Sequence, residues 1–222
     1  MKRIFFCISF IIISVLTLAQ NKEITLEGIY KDYNFYPKSY QGLKSMNNGE
    51  FYTQMKRTED GQEIIKYSFK NGDRTTRLFK SSDFKIKRIN SYSFSDDDKL
   101  MILATETESI YRYSKKAIYY VFNIHNNKLK KISDKKIRYP TLCPNSENIA
   151  FVYNNNLYIK NLLNGKETQI TFDGKKNHII NGASDWVYEE EFQLVKGFEW
   201  SSGGEIIAYY KFDESHVKEF SM

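Results

Sequence analysis

The feature that most restricts the fold of this chain is a segment that recurs four times, in which a polar turn leads into an apolar strand. The turns begin at Asn47, Ser95, Pro144 and Ser201, so successive copies start 48, 49 and 57 residues apart. A period near 50 residues is typical of β-propeller blades. The last interval is 8 or 9 residues longer than the others, which indicates an insertion between the third and fourth copies.

Each copy also contains the tight turns of an antiparallel sheet. In the third copy, strands are predicted at 149–153, 157–161 and 167–171. The last two are separated by Asn164-Gly165, and Asn71-Gly72 has the same place in the first copy. Asn-Gly between alternating runs favours a hairpin, because both residue types tolerate positive φ.

These patterns predict an all-β protein. Aromatic residues make up 16% of the chain and only 3 residues are Pro, a bias that favours strands over a helical bundle. We expect a partial β-propeller of four-stranded antiparallel blades, with about four units, or roughly half of a larger ring. A β-sandwich would have strands at similar density, and the period of the repeat is what favours the propeller.

Residues 1–19 have the three parts of a secretory signal peptide. Lys2 and Arg3 precede an apolar run from Ile4 to Leu18, and Ala19 lies at the expected cleavage site. The run is shorter than the about 20 residues that span a bilayer. We therefore expect an exported protein, periplasmic or extracellular, with no stable membrane span after cleavage. The alternative is an uncleaved signal that anchors the protein in the membrane.

The charge and the motif content exclude several function classes. The 33 Lys and Arg residues exceed the 27 Asp and Glu residues by 6, and by 4 without Lys2 and Arg3. This excess is small and its residues are scattered, so no nucleic-acid partner is expected. No metal-ligand spacing, P-loop or dinucleotide-binding glycine motif occurs, so no metal or cofactor is expected.

The insertion before the fourth copy contains three consecutive glutamates beside aromatic residues, in the string Asp185-Trp186-Val187-Tyr188-Glu189-Glu190-Glu191. Neighbouring like charges repel, and burial among aromatic rings would raise their pKa values or require a cation. Composition alone favours a solvated acidic turn. A charged binding site is the alternative.

Three segments of the chain resemble the dipeptidyl peptidase IV family, in the prolyl oligopeptidase group of serine peptidases. The string from Asp185 to Glu191 resembles the double-glutamate segment of that family. The run from Tyr209 to Ser215 resembles the next segment of bacterial members, and Tyr111-Arg112-Tyr113-Ser114 resembles the arginine segment. The resemblance covers nearly the whole chain after the leader.

The resemblance implies roles for three residues. Glu190 and Glu191 would bind the free α-ammonium of a peptide substrate, and Arg112 would help to hold the substrate's backbone carbonyl and the glutamate pair. The family carries these glutamates on a short helical insertion of the propeller, which faces a cavity beneath a separate α/β-hydrolase domain.

Together with the predicted signal peptide, the resemblance implies that this chain is the N-terminal substrate-selecting propeller part of an exported dipeptidyl peptidase, which releases N-terminal dipeptides with Pro or Ala at the second position. Peptides with a free N-terminus would be its partners, and the full-length family form would be a possible homodimer. One alternative is a non-catalytic secreted propeller that binds peptides or proteins. Another is an inactive truncated product.

No catalytic residue is predicted in this chain. A nucleophile elbow requires the pattern G-x-S-x-G, but neither Ser201 nor Ser202 has a glycine two residues before it, and both belong to the fourth copy of the blade turn. His125, His178 and His216 lie in polar segments without a catalytic partner set. We therefore interpret residues 20–222 as a partial N-terminal propeller domain, with the hydrolase domain absent from this chain.

Overall fold

A computed structural model of the chain describes residues 24–37 and 42–219. The predicted signal peptide, residues 1–19, lies outside the described residues. The described residues belong to two compact units, one ending at Gln41 and one beginning at Gly42. The first contains a short helix, α1 (Leu26–Tyr30), which Thr25 caps by accepting the N–H of Gly28. Within the described ranges, no helix is long and apolar enough to cross a membrane.

The second unit begins with three four-stranded antiparallel sheets, each built from consecutive strands of the chain. Their strands are β1 (Lys44–Ser45), β2 (Phe51–Thr58), β3 (Gly61–Ser68) and β4 (Arg74–Lys80) in the first sheet; β5 (Ser91–Phe94), β6 (Leu100–Ser109), β7 (Lys115–Asn123) and β8 (Lys128–Lys131) in the second; and β9 (Arg138–Leu142), β10 (Asn148–Tyr153), β11 (Asn156–Asn161) and β12 (Glu167–Gln169) in the third. A 3-10 helix (Ser81–Phe84) follows β4.

The fourth copy of the repeat also folds into paired strands, and we call this part of the second compact unit the fourth unit. In it, β13 (Ile179–Asn181) pairs with β16 (Lys211–Asp213), and β14 (Phe198–Trp200) pairs with β15 (Ile207–Tyr209). Helix α2 (Trp186–Phe192) lies in the chain between β13 and β14. The insertion predicted from the long repeat interval is therefore the segment that contains this helix.

The repeated polar turn has the same position in every unit. The turns that begin at Asn47, Ser95, Pro144 and Ser201 connect the first and second strands of the first three sheets, and β14 to β15 in the fourth unit. The predicted hairpins are also present, since Gly72 and Gly165 have φ values of +74° and +76°. These findings confirm a partial β-propeller of antiparallel blades.

The apolar core lies between successive blades. Consecutive residues of a strand point to opposite faces, and β6 shows this directly. Its Met101 and Leu103 join a cluster with Ile64 and Phe79 of the first blade, whereas Ile102 joins a cluster with Ile149 of the third. A third cluster joins the third blade to the fourth unit. Because both faces of the middle blades are covered, each blade is stabilised by its neighbours.

Candidate functional site

The insertion is a narrow stem that carries α2. Gly182 and Gly197 form its base, where the N–H of Gly197 donates to the carbonyl of Gly182 at 3.0 Å. Further along the stem, Ala183 bridges Lys196. A Cβ on Gly197 would lie 3.0 Å from the backbone nitrogen of Ala183, so the two stem segments approach as closely as a glycine permits. The stem therefore fixes where α2 leaves the propeller.

Helix α2 has caps at both ends. The side chain of Asp185 accepts the N–H of Tyr188 at 2.8 Å, as expected of an N-cap aspartate. Gln193 ends the helix in the left-handed conformation, with φ of +55°. The seven residues between these caps include all three glutamates.

The three glutamates have different environments, because successive residues of an α-helix point about 100° apart. Glu189 is 1% exposed and the side chain of Glu190 is 17% exposed, whereas Glu191 is an exposed residue. The composition-based expectation of a solvated acidic turn is therefore wrong for Glu189 and describes Glu191 alone.

Two of the three residues assigned by resemblance are in contact. The Nε of Arg112 lies 3.2 Å from Oε2 of Glu190. Arg112 belongs to the loop between β6 and β7, far from α2 in sequence, so the fold of the propeller brings the two together. Glu191 makes no ion pair with a described residue, which leaves its carboxylate available to a cation from solution.

Glu189 lies on the inner side of α2 and binds the same loop. Its Oε1 accepts the N–H of Tyr113 at 2.7 Å and the N–H of Ser114 at 2.8 Å. Burial by itself would raise the pKa of Glu189. Hydrogen bonds from the Ser114 hydroxyl and from the two backbone N–H groups, together with the charge of Arg138, outweigh this effect and lower the pKa. Glu189 is therefore a buried carboxylate whose ionised form is favoured by the groups around it.

Sequence reasoning gave Glu189 no role. The available signal is its place in the triple, because three consecutive residues of a short helix cannot all face solvent when the helix packs on the fold. That signal shows that one glutamate faces inward. It does not show which backbone groups that glutamate meets.

A cavity of about 650 Å³ adjoins the first turn of α2. Tyr111 and Trp186 belong to its lining, but Glu190 and Glu191 do not. Five cations contribute to its wall, namely Lys116, Lys136, Arg138, Lys175 and Lys176. The carboxyl group of Glu214 also lines it, and burial, with the nearby charge of Asp185, raises the pKa of that group.

The serine and histidine residues weighed as catalytic candidates have structural or exposed positions. Ser201 belongs to the β14–β15 turn, where its Oγ accepts the N–H of Ile206 at 3.1 Å. His125, His178 and His216 are all exposed. The structure therefore brings no serine nucleophile and histidine base together among these residues.

Comparison with known proteins identifies the family. The model of the family described as the dipeptidyl peptidase IV (DPP IV) N-terminal region matches residues 95–222, which include Arg112 and all of α2. Human prolyl endopeptidase FAP is 29% identical over 197 residues, which is 86% of this chain and 24% of that protein. Dipeptidyl peptidase 4 of Felis catus is 35% identical over 134 residues, which is 58% of this chain and 17% of that protein.

A solved structure gives the same result. The crystal structure of Porphyromonas gingivalis dipeptidyl peptidase 4 is 35% identical and superposes with a TM-score of 0.76, covering 91% of this chain and 29% of that chain. The chain thus spans about a quarter or less of the length of the two curated relatives. From the family match and this superposition, the chain belongs to the dipeptidyl peptidase IV family, as its N-terminal region.

Proposed function

We propose that residues 20–222 form the substrate-selecting propeller part of an exported dipeptidyl peptidase, in which Glu190 and Glu191 bind the amino terminus of a peptide. The observation that carries this proposal is the position of the pair on α2, with Glu190 beside Arg112 and Glu191 exposed next to it.

The chemistry of an α-ammonium group suits two carboxylates. The group has three N–H donors and no acceptor. Two carboxylates accept two of these donors in charge-assisted hydrogen bonds, each worth about 1.5–3 kcal/mol. Neighbouring residues on a strand would point to opposite faces. On α2 they point about 100° apart, so Glu190 and Glu191 can approach one nitrogen from two sides.

Arg112 supplies the complementary donors. A guanidinium has five N–H donors in a fixed fork, and Glu190 engages the Nε of Arg112. The two Nη groups are then suited to donate to a backbone carbonyl of the bound peptide. The side chain of Arg112 is 69% exposed, which allows a ligand to reach these groups.

Binding the amine selects exopeptidase action. An extended peptide advances at most about 3.3–3.6 Å per residue, so a nucleophile at a fixed distance from the glutamates would cut after the second residue. The names of the relatives include a prolyl endopeptidase and dipeptidyl peptidases 4. We choose the dipeptidyl activity because an internal peptide bond offers no ammonium to Glu190 and Glu191. The preference for Pro or Ala at the second position is carried over from the family.

A second candidate is a secreted propeller that binds peptides without cleaving them. A relative whose name supports this candidate is Inactive dipeptidyl peptidase 10 of Rattus norvegicus, 28% identical over 149 residues. Both candidates predict binding of the amine and no hydrolysis by this chain, so they are separated by whether the nucleotide sequence past codon 222 encodes a G-x-S-x-G motif followed by Asp and His. An assay of this chain with a Gly-Pro chromogenic amide should give no signal above background. Hydrolysis abolished by Ser201→Ala would contradict our assignment of Ser201 to the blade turn.

Export belongs to the same proposal. Sequencing the amino terminus of the exported protein tests it, because cleavage after Ala19 would leave Gln20 as the first residue. An intact leader would instead indicate a membrane-anchored form.

The binding proposal is tested by calorimetry with two peptides that share a sequence with Pro at the second position. One has a free amino terminus and the other is acetylated. We expect acetylation to weaken binding at least tenfold, because it removes the charge and two donors. Glu191→Gln should remove most of this difference, whereas Glu199→Gln, a change at an exposed glutamate on β14, should preserve it. Equal affinity for both peptides would refute the proposal.

A further inference from the structure

We propose that Glu189 is a positioning residue, whose buried carboxylate fixes the loop of residues 110–114 and so holds Arg112 against Glu190. The consequence for peptide binding rests on the proposed function. The positioning itself is measurable without any ligand.

The contacts of Glu189 are to the backbone immediately after Arg112. One oxygen, Oε1, accepts the N–H groups of both Tyr113 and Ser114, at 2.7 and 2.8 Å. These are main-chain donors, so they fix the path of the chain and not the rotamer of one side chain. Arg112 precedes them directly, and its own backbone is therefore held at one end by Glu189.

The loop is also braced internally through Ser114. The N–H of Tyr111 donates to Oγ of Ser114 at 3.3 Å, and the N–H of Ile110 donates to the carbonyl of Ser114 at 2.9 Å. Ser114 is fully buried. Holding Ser114 therefore constrains the residues on both sides of Arg112.

The Arg112–Glu190 ion pair cannot hold the loop by itself. Arg112 is 69% exposed, and ion pairs that involve such exposed side chains contribute little in water. The carboxylate of Glu189 is 1% exposed, and hydrogen bonds to a buried charged group are strong and expensive to lose. Most of the link between α2 and the loop is therefore assigned to Glu189.

Two neighbouring residues of α2 contact two neighbouring residues of the loop. Glu189 and Glu190 follow each other on α2, and they meet Tyr113 and Arg112, which follow each other in the loop. Two parallel links fix the orientation of the loop as well as its distance. A single link would leave Arg112 free to turn away from Glu190.

A third blade contributes to the same cluster. Arg138, at the start of β9, carries a charge that favours the ionised form of Glu189. Arg138 also donates to the Tyr139 hydroxyl at 3.1 Å. The carboxylate of Glu189 thus links the loop of the second blade to α2, and the charge of Arg138 on the third blade acts on the same group.

The test uses the full chain carrying Glu189→Ala or Glu189→Gln, with no ligand present. Hydrogen exchange of the Tyr113 and Ser114 amides and the Nε–H resonance of Arg112 report the loop. We expect at least tenfold faster exchange in Glu189→Ala and loss of the distinct Arg112 resonance. Glu189→Gln, which keeps one carbonyl acceptor, should fall between this variant and the wild type.

A matched control separates positioning from general destabilisation. Thr53→Val removes a fully buried hydroxyl of β2 that lies 2.9 Å from the hydroxyl of Tyr92 on β5, and neither residue belongs to α2 or to the loop of residues 110–114. It should leave the Tyr113 exchange and the Arg112 resonance at their wild-type values. If it changes them as much as Glu189→Ala does, the role of Glu189 is merely structural and the proposal is overturned.

Peptide affinity provides the functional readout. Glu189→Ala should weaken binding of the free-amine peptide at least tenfold, although Glu190, Glu191 and Arg112 are all intact.

Unchanged exchange of the Tyr113 and Ser114 amides and an unchanged Arg112 resonance in Glu189→Ala would overturn the proposal. If Glu189→Ala does not fold, Glu189→Gln decides, and exchange equal to wild type in that variant overturns the proposal. If the wild type does not distinguish the two peptides, the proposed function fails, while the exchange data still decide the role of Glu189.

Discussion

Replacing Gly182 with alanine should destabilise the chain through two separate effects. Gly182 has φ of +72°, a backbone conformation that costs an L-residue about 1–2 kcal/mol. In addition, a Cβ at this position would lie 3.1 Å from Val152, 3.3 Å from Leu157 and 3.4 Å from Phe198. These side chains belong to the core between the third blade and the fourth unit, where added volume costs about 1–3 kcal/mol.

A second glycine isolates the packing effect. Gly72 has φ of +74°, and a Cβ there would meet nothing within 4 Å. Gly72→Ala therefore has the conformational cost without the packing cost, and the effect of alanine on the unfolded chain is the same in both variants. We expect Gly182→Ala to lose about 1–3 kcal/mol more free energy of unfolding than Gly72→Ala.

Urea unfolding followed by tryptophan fluorescence measures this difference. The chain has two tryptophans, Trp186 on α2 and Trp200 on β14, so the signal reports on the fourth unit. Equal losses of stability in Gly182→Ala and Gly72→Ala would refute the reasoning, because the crowding around Gly182 would then have no energetic weight.

Two further predictions concern the blade turns. In the third blade turn, Sγ of Cys143 accepts the N–H of Asn148, and in the second blade turn Oγ of Ser95 accepts the N–H of Leu100 in the equivalent position. A serine at position 143 keeps this acceptor, so Cys143→Ser should change the free energy of unfolding by less than about 1 kcal/mol, whereas Cys143→Ala should lower it by about 1–3 kcal/mol. Urea unfolding measures both changes. Hydrogen bonds from the Ser95 side chain and from Lys99 lower the pKa of Asp97 to about 2. Because folding lowers this pKa, ionised Asp97 stabilises the folded state. This contribution is fully present above the ordinary pKa of 3.8 and is lost as the pH falls towards 2. The stability gap between wild type and Asp97→Asn should close over that range, and a gap that stays constant would contradict the prediction.

Much of the fold can be predicted from local patterns in the sequence. The turn residues Asn164-Gly165 and the polar turns at Ser95 and Pro144 determine where strands begin and end, since each requires a particular backbone conformation. The continuous apolar run of residues 100–104 in β6 is also visible in the sequence, and such a run is consistent with a strand that is buried on both faces. Which blade each face of β6 contacts depends on non-local packing, and the sequence pattern contains no such information.

The candidate site was only partly predictable. The resemblance assigns binding roles to Arg112, Glu190 and Glu191, which stay predictions, and the structure brings Arg112 and Glu190 into contact. It gave no role to Glu189, because a run of identical residues does not show which member faces the fold. The backbone donors of Tyr113 are equally invisible in the sequence, since any residue type supplies an N–H group.

The central claim is that Glu190 and Glu191 together bind the amino terminus of a peptide, and a crystal structure of the chain with the free-amine peptide tests it most directly. We expect the α-ammonium nitrogen within about 2.7–2.9 Å of a carboxylate oxygen of each glutamate. A bound peptide whose amine points into solvent, with both carboxylates left uncontacted, would contradict the claim.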